Sequence, residues 1–210
     1  MNPVFMFWLI FSFITAAVII CDYLFGMLRD TSTATPKPFS YSRVQLAWWT
    51  IIIFSSIISA LFLHNGLPVL FNSTLYLLGI ASGTTAAARL IDVSDQLKSN
   101  SARHQDMNGG TNFLTDILSD GNGISIHRFQ TVLFNILLGC WFIYNVVFNL
   151  TAKNIEGIIP DIQPNYLVLL SLSTLTYTAL KATENKCPVP HVEPEFVSES
   201  VNKVANVPQG

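Results

Sequence analysis

Asp22 is the one charged residue in an apolar run that extends from about Pro3 to Met27. It lies about seven residues before Arg29, hence on the order of 10 Å inside the end of the run at about 1.5 Å per helical residue. Hydrocarbon does not solvate an ionised carboxylate, so Asp22 must pair, reach water or take up a proton. Pairing with Arg43 or Arg128 is the structural reading; an ion or proton pathway is the chemical one. A second polar set recurs. Ser40-Tyr41-Ser42-Arg43-Val44-Gln45 and Ser125-Ile126-His127-Arg128-Phe129-Gln130 share the pattern S-x-x-R-x-Q. Each serine is suited to cap the free N–H groups of a following helix. Arg43 and Arg128 then stand at headgroup level, where they either snorkel to phosphate or, with Gln45 and Gln130 one level deeper, hydrogen-bond across the bundle and lock it.

The elements that position these groups are membrane spans. Half of the residues are hydrophobic, 11% are charged and the mean hydropathy is +0.45, against about 25% charged residues in a soluble domain. The apolar residues collect in five blocks: Pro3 to Met27, Val44 to Phe62, Leu67 to Leu90, Phe129 to Leu150 and Pro164 to Leu180. A crossing helix needs roughly 20 residues, and the fifth block is the marginal one. The first block lacks a basic leader and a small-residue cleavage site, so it reads as retained, not as a signal peptide. Of the eleven Lys and Arg residues, only Lys153 falls outside one side of this threading. Basic residues stay cytoplasmic, which places the N-terminus outside, the connections 28–43 and 91–128 and the tail from 181 inside, and the turn 64–68 and the segment 151–163 outside.

The hairpins also close alike. Leu75 to Arg89 reads LYLLGIASGTTAAAR and Leu167 to Lys181 reads LVLLSLSTLTYTALK, which align once the second outer loop is allowed to be longer. The expected fold is therefore all-α: a polytopic membrane protein with five transmembrane helices, N-out and C-in, containing two parallel two-helix repeats related by an axis along the membrane normal. Its divisions are 1–39 (first helix and linker), 40–91 (first hairpin), 92–123 (cytoplasmic loop), 124–181 (second hairpin) and 182–210 (disordered tail). Gly79, Gly83, Ala86 and Ala87 share one face of the third span, and Ser171, Thr174 and Thr178 form a stripe on the fifth. Small residues let helices approach closely where lipid offers no hydrophobic drive, so both stripes are read as packing surfaces. Asn135 and Asn145 share a face of the fourth span and can bond to a neighbouring helix, while Trp48, Trp49, Tyr144 and Tyr166 anchor and pack. These paired hairpins, with R-x-Q at each entrance and LLGIASGT in the third span, resemble an uncharacterised family of small multi-pass bacterial inner-membrane proteins. The resemblance covers roughly residues 40–181; it implies a bacterial origin and this fold, and brings no activity with it.

Other chemistry is not supported. Cys21, Cys140 and Cys187 form no C-x-x-C pair and none lies on the outer side, which argues against disulfides and cysteine metal sites. Asp120-Gly121-Asn122-Gly123 has the look of an EF-hand centre, but Leu118 and Phe129 occupy the first and twelfth ligand positions; a glycine turn is the better account. Residues 113–118 read as one or two amphipathic turns at the interface. His104 and His127 have no evident nucleophile or metal partner, and no catalytic motif is present. No cofactor, metal or nucleic-acid partner is expected. The chain reads as a non-enzymatic inner-membrane scaffold or signal-transducing subunit, a homo-oligomer in the lipid bilayer that engages a cytoplasmic protein partner. The alternative is an oligomeric ion-conducting pore, including a membrane-permeabilising effector of a bacterial defence system.

Overall fold

The computed structural model describes residues 2–97, 106, 110, 112–120, 123–151 and 157–184. His104, Lys153, Cys187, the tip of the glycine turn and residues 185–210 of the tail expected to be disordered lie outside the described residues, while 182–184, the first residues of that expected tail, continue the helix that begins at Pro164. Among the described residues the main elements are, in order, α1 (Pro3–Phe25), α2 (Tyr41–His64), α3 (Asn72–Leu97), α4 (Phe113–Leu118), β1 (Ser119–Asp120) paired antiparallel with β2 (Gly123–Ile124), α5 (Ile126–Asn149) and α6 (Pro164–Glu184). The amphipathic turns expected at 113–118 are α4.

Among the described residues four helices, α1, α2, α3 and α5, are long and apolar enough to cross a membrane. The chain is a mostly helical membrane protein. Helix α6 matches them in length but not in hydropathy, because serines and threonines line it. Those hydroxyls donate within the helix itself: Ser171 to the Leu167 carbonyl at 2.7 Å, Thr174 to Leu170 at 3.0 Å, Thr176 to Leu172 at 2.9 Å and Thr178 to Thr174 at 3.2 Å. Bonding one turn back satisfies each hydroxyl without an outside partner.

Two boundaries depart from the sequence reading. Helix α3 starts at Asn72 and not at Leu67, since Pro68 keeps the residue before it extended. It also runs past Leu90 to Leu97, carrying Asp92 and Asp95 on the helix instead of in a loop. The reason is a continuous buried stripe: Thr74, Leu77, Ala81, Thr84, Ala88, Asp92 and Asp95 follow one another at helical spacing on the inner face.

Helices α2, α3, α6 and α5 pack in that cyclic order, with α1 laid along α2. Their shared core includes Trp49, Ile52, Ile53, Leu77, Ala81, Phe142, Val146 and Leu170. At the far end Ile158, Ile159 and Ile162 insert into it, and Ser73 holds this segment by donating to Asp161 at 2.6 Å and accepting the Ile162 N–H at 3.1 Å. Helix α2 thus lies beside α5, and α3 beside α6. The expected axis along the membrane normal would instead pair α2 with α6 and α3 with α5, which are not the main contacts.

Close approach occurs where the sequence did not point. A Cβ at Gly139 on α5 would lie 2.5 to 2.7 Å from the Trp48 indole, so only glycine admits that ring. Gly79 and Gly83, expected to pack helix on helix, are exposed and a Cβ on either meets nothing within 4 Å. Ala86 is exposed beside them and Ala87 is half-buried. The physical reason is rotation of α3: the polar-capable stripe ending in Asp92 and Asp95 takes the inner face and turns the glycines outward. On α6, Thr174 is buried while Ser171 and Thr178 are half-buried.

Gly139→Ala should therefore destabilise the chain by about 1–3 kcal/mol, the usual cost of overpacking. Gly79→Ala should be neutral or stabilising by up to about 1 kcal/mol, since alanine is the better helix former and nothing opposes its methyl. Denaturation of the two purified variants in detergent measures the difference.

Candidate functional site

The polar groups singled out by the sequence gather at one end of the bundle with Arg29, Arg89 and Lys181, the basic end. Helix α1 stops at Phe25 because Gly26 adopts φ +64° and turns the chain back. That reversal decides what Asp22 does. Its backbone carbonyl accepts the Gly26 N–H at 2.7 Å, its Oδ1 accepts the Leu28 N–H at 2.8 Å, and its Oδ2 lies 3.7 Å from Arg29 Nε. Asp22 thus pairs with Arg29, not with Arg43 or Arg128, and closes the helix end; straight-helix counting placed Arg29 a turn or two away, whereas the turn folds it back to the same level.

Arg43 and Arg128 hold the segments that precede their helices. The Ser40 N–H donates to the Leu28 carbonyl at 2.8 Å, the Arg29 and Phe39 backbones pair antiparallel, and Arg43 Nη1 donates to the Arg29 carbonyl at 2.6 Å. The second copy of the pattern does the same: the Ser125 N–H donates to the Leu118 carbonyl at 3.0 Å, Ser119 pairs with Ile124, and Arg128 Nη1 donates to the Ser119 carbonyl. Each L-x-D segment, Leu28-Arg29-Asp30 and Leu118-Ser119-Asp120, is clasped by the arginine of the S-x-x-R that follows. The serines occupy the N-cap positions, but neither side chain caps its helix; the Ser40 hydroxyl sits 3.3 Å from that of Ser42.

The two glutamines part company. Gln45 crosses to Asn135, donating at 3.3 Å, whereas Gln130 is exposed. Asn135 is the hub between α2 and α5. Its Oδ1 also accepts from Trp49 Nε1 at 2.7 Å, its backbone carbonyl accepts from Trp48 Nε1 at 3.1 Å, and its Nδ2 donates to the Tyr41 hydroxyl at 3.1 Å and the Thr131 carbonyl at 2.8 Å. The two tryptophans read as anchors are partners of this amide. Asn145 bonds only one turn back, to the Trp141 carbonyl at 2.8 Å, and not to a neighbouring helix.

The most concentrated charge was not anticipated. The Lys181 ammonium is buried, 3.0 and 3.1 Å from the two oxygens of Asp92 and 3.6 Å from Asp30 Oδ2. Asp30 comes from the linker after α1, Asp92 from α3 and Lys181 from the end of α6. Tyr177, one turn before Lys181, stacks edge-on against Tyr41 with ring centroids 4.7 Å apart. Burial alone would raise the Asp30 carboxyl, but the Lys181 charge, the Thr31 N–H and the Arg43 charge together hold it below the usual carboxylate value. The signal in the sequence was the L-x-D triplet before each S-x-x-R, hidden because the intervals between triplet and serine differ.

The linker and the 106–124 region are joined to each other as well. The Phe39 N–H donates to Asp116 Oδ2 at 3.1 Å, the Gly110 N–H to the Pro36 carbonyl at 2.7 Å and the Thr33 N–H to Asp106 Oδ1 at 2.8 Å. Phe39 meets Phe113 edge-on, and Ile117 packs with Tyr41 and Tyr177. Together they form a platform fixed to the helices. No group of three or more His, Cys, Asp and Glu side chains suited to a metal ion occurs among the described residues. Comparison with protein-family models, with curated proteins and with solved structures finds no match.

Removing Lys181 strands two buried carboxylates, so Lys181→Met should cost about 3–5 kcal/mol, read as a lowered unfolding midpoint. Asp30 has a depressed folded-state pKa, so its contribution is complete above the unfolded value of about 3.9 and is lost as pH falls through the lower folded value. Asp30→Asn should flatten that acid limb of the stability profile. Asn135→Leu leaves the Trp49, Gln45 and Tyr41 groups without their partner and should cost about 1–3 kcal/mol.

Proposed function

We propose that the chain is a non-enzymatic inner-membrane scaffold or signal-transducing subunit, acting as a homo-oligomer and engaging a cytoplasmic protein partner through the platform at its basic end. The observation that carries this reading is the triple attachment of that platform, by the Arg43 clasp, the Arg128 clasp and Lys181, to helices on both sides of the bundle. A partner that displaced the linker or α4 would load α2, α5 and α6 directly, which is what a transducing subunit requires.

In this reading α6 is the fifth span, with its hydroxyls satisfied internally, and the excess of Lys and Arg keeps the basic end cytoplasmic and the N-terminus outside. The matching hydrogen bonds around Leu28-Arg29-Asp30 and Leu118-Ser119-Asp120 support an internal duplication. The outward glycines Gly79 and Gly83, four residues apart on a lipid-facing helix, offer close approach to a second copy. The filled interior, with Trp49, Phe142, Ile158 and Ile159 fully buried, counts against an ion path through one chain. A pore would have to form between copies.

Reporter fusions should place the N-terminal and C-terminal ends in opposite compartments, the C-terminal one inside. Protein in liposomes should pass no ions, with or without Asp22→Asn. A flux that this substitution changes would displace the scaffold reading in favour of the pore.

A further inference from the structure

A half-enclosed cavity of about 230 Å³ opens at the basic end beside the Lys181 cluster. It is lined by two guanidiniums, Arg43 and Arg89, by the hydroxyl residues Ser40, Ser42 and Thr85, and by the carboxylate of Asp92.

The donors are plentiful. Arg43 is engaged through Nη1, with the carbonyls of Arg29 and Met27, and Arg89 through Nη1, with the Thr31 hydroxyl at 2.6 Å. A guanidinium has five N–H donors, so both keep a planar fork of the kind that matches phosphate oxygens. The Ser40 and Ser42 hydroxyls share one hydrogen between them at 3.3 Å, leaving the other to donate outward. Because Ser40 does not cap α2, the first-turn N–H groups of that helix add a partial positive charge at the same place. The charges facing the cavity or one group removed from it are Arg43, Arg89 and Lys181 against Asp30 and Asp92, which leaves a surplus of one positive charge.

One acceptor is out of place. Asp92 Oδ1 is fully buried and accepts no hydrogen bond, although the Lys181 ammonium stands 3.0 Å away as an ion pair. An oxyanion with no hydrogen would be repelled by that oxygen, whereas one that carries a hydroxyl would donate to it. We propose that the cavity binds a phosphate group bearing its own hydroxyl, either inorganic hydrogenphosphate or a phosphate monoester. Arg43 and Arg89 hold the charged oxygens and Asp92 accepts the P–OH. The volume admits such a group with a few waters at about 30 Å³ each. A monoester can arrive free in solution or as the headgroup of a phosphatidic-acid lipid.

The test uses the full chain in detergent and in phosphatidylcholine vesicles, with the thermal unfolding midpoint as readout. Inorganic phosphate should raise the midpoint and sulfate, at matched ionic strength, should not. If the natural source is the bilayer, phosphatidic acid should raise it and phosphatidylglycerol, a diester without a P–OH, should not. Arg89→Gln alters an exposed side chain and should leave the ligand-free midpoint nearly unchanged while weakening the response about tenfold, the loss of one charge-assisted pair. Asp92→Asn, a costlier change, should let sulfate act as phosphate does. Equal responses to phosphate and sulfate, equal rises with the two lipids, no response to either phosphate or phosphatidic acid, or an undiminished response in Arg89→Gln would each overturn the proposal, whereas a response to phosphate with none to either lipid assigns the site to a ligand free in solution.

Discussion

A buried ammonium group fixes the geometry of this chain. Lys181 is nearly inaccessible, and its charge is offset by two carboxylates that come from the linker after α1 and from α3. Taking three charges out of water is unfavourable by several kcal/mol each unless the geometry is close, so the cluster tolerates little sliding of α6 along α3. At the opposite end Ser73 and Asp161 make the complementary tie. With both ends held, α3 and α6 are set in register, and the layers of apolar side chains between them fall opposite one another.

The same logic operates between α2 and α5, with an amide in place of the charge. In a lipid-facing bundle there is no hydrophobic drive between helices, so hydrogen bonds and close packing decide which surfaces meet. Asn135 gathers two indoles, a glutamine and a phenol, and Gly139 one turn further on admits the Trp48 ring. Polar ties and packing are therefore adjacent, and a shift of either helix would break both together. This makes the bundle a stiff body to which the platform at the basic end is attached.

The sequence announced the helices because long apolar runs leave few alternatives, and it placed Ser40, Arg43, Ser125 and Arg128 at helix entrances. It also singled out Asn135 as an amide able to reach a neighbouring helix. Which partner a polar group finds was not legible. Asp22 was read against distant arginines because a straight helix was assumed; one glycine at positive φ brings Arg29 back instead. Asp92 was assigned to a loop because α3 outlasts its apolar run, and Asp30 was overlooked because its triplet lies at different distances from the two S-x-x-R patterns. Gly79 and Gly83 were read as a packing face from small residues at helical spacing, yet within the chain the rotation of α3 is set by the stripe that must be buried, and that stripe ends in two aspartates. Gln45 and Gln130 occupy equivalent positions and have different fates because only one faces an amide.

The position of Lys181 near the end of the described chain has a consequence for biosynthesis. Ribosomes deliver Asp30 first, then Asp92, and only much later the cation that neutralises them. Until α6 emerges, the linker and α3 carry two acidic groups without Lys181, and these favour water over the apolar interior. The half-made protein is thereby discouraged from settling into its final packing, and arrival of α6 supplies the missing positive charge.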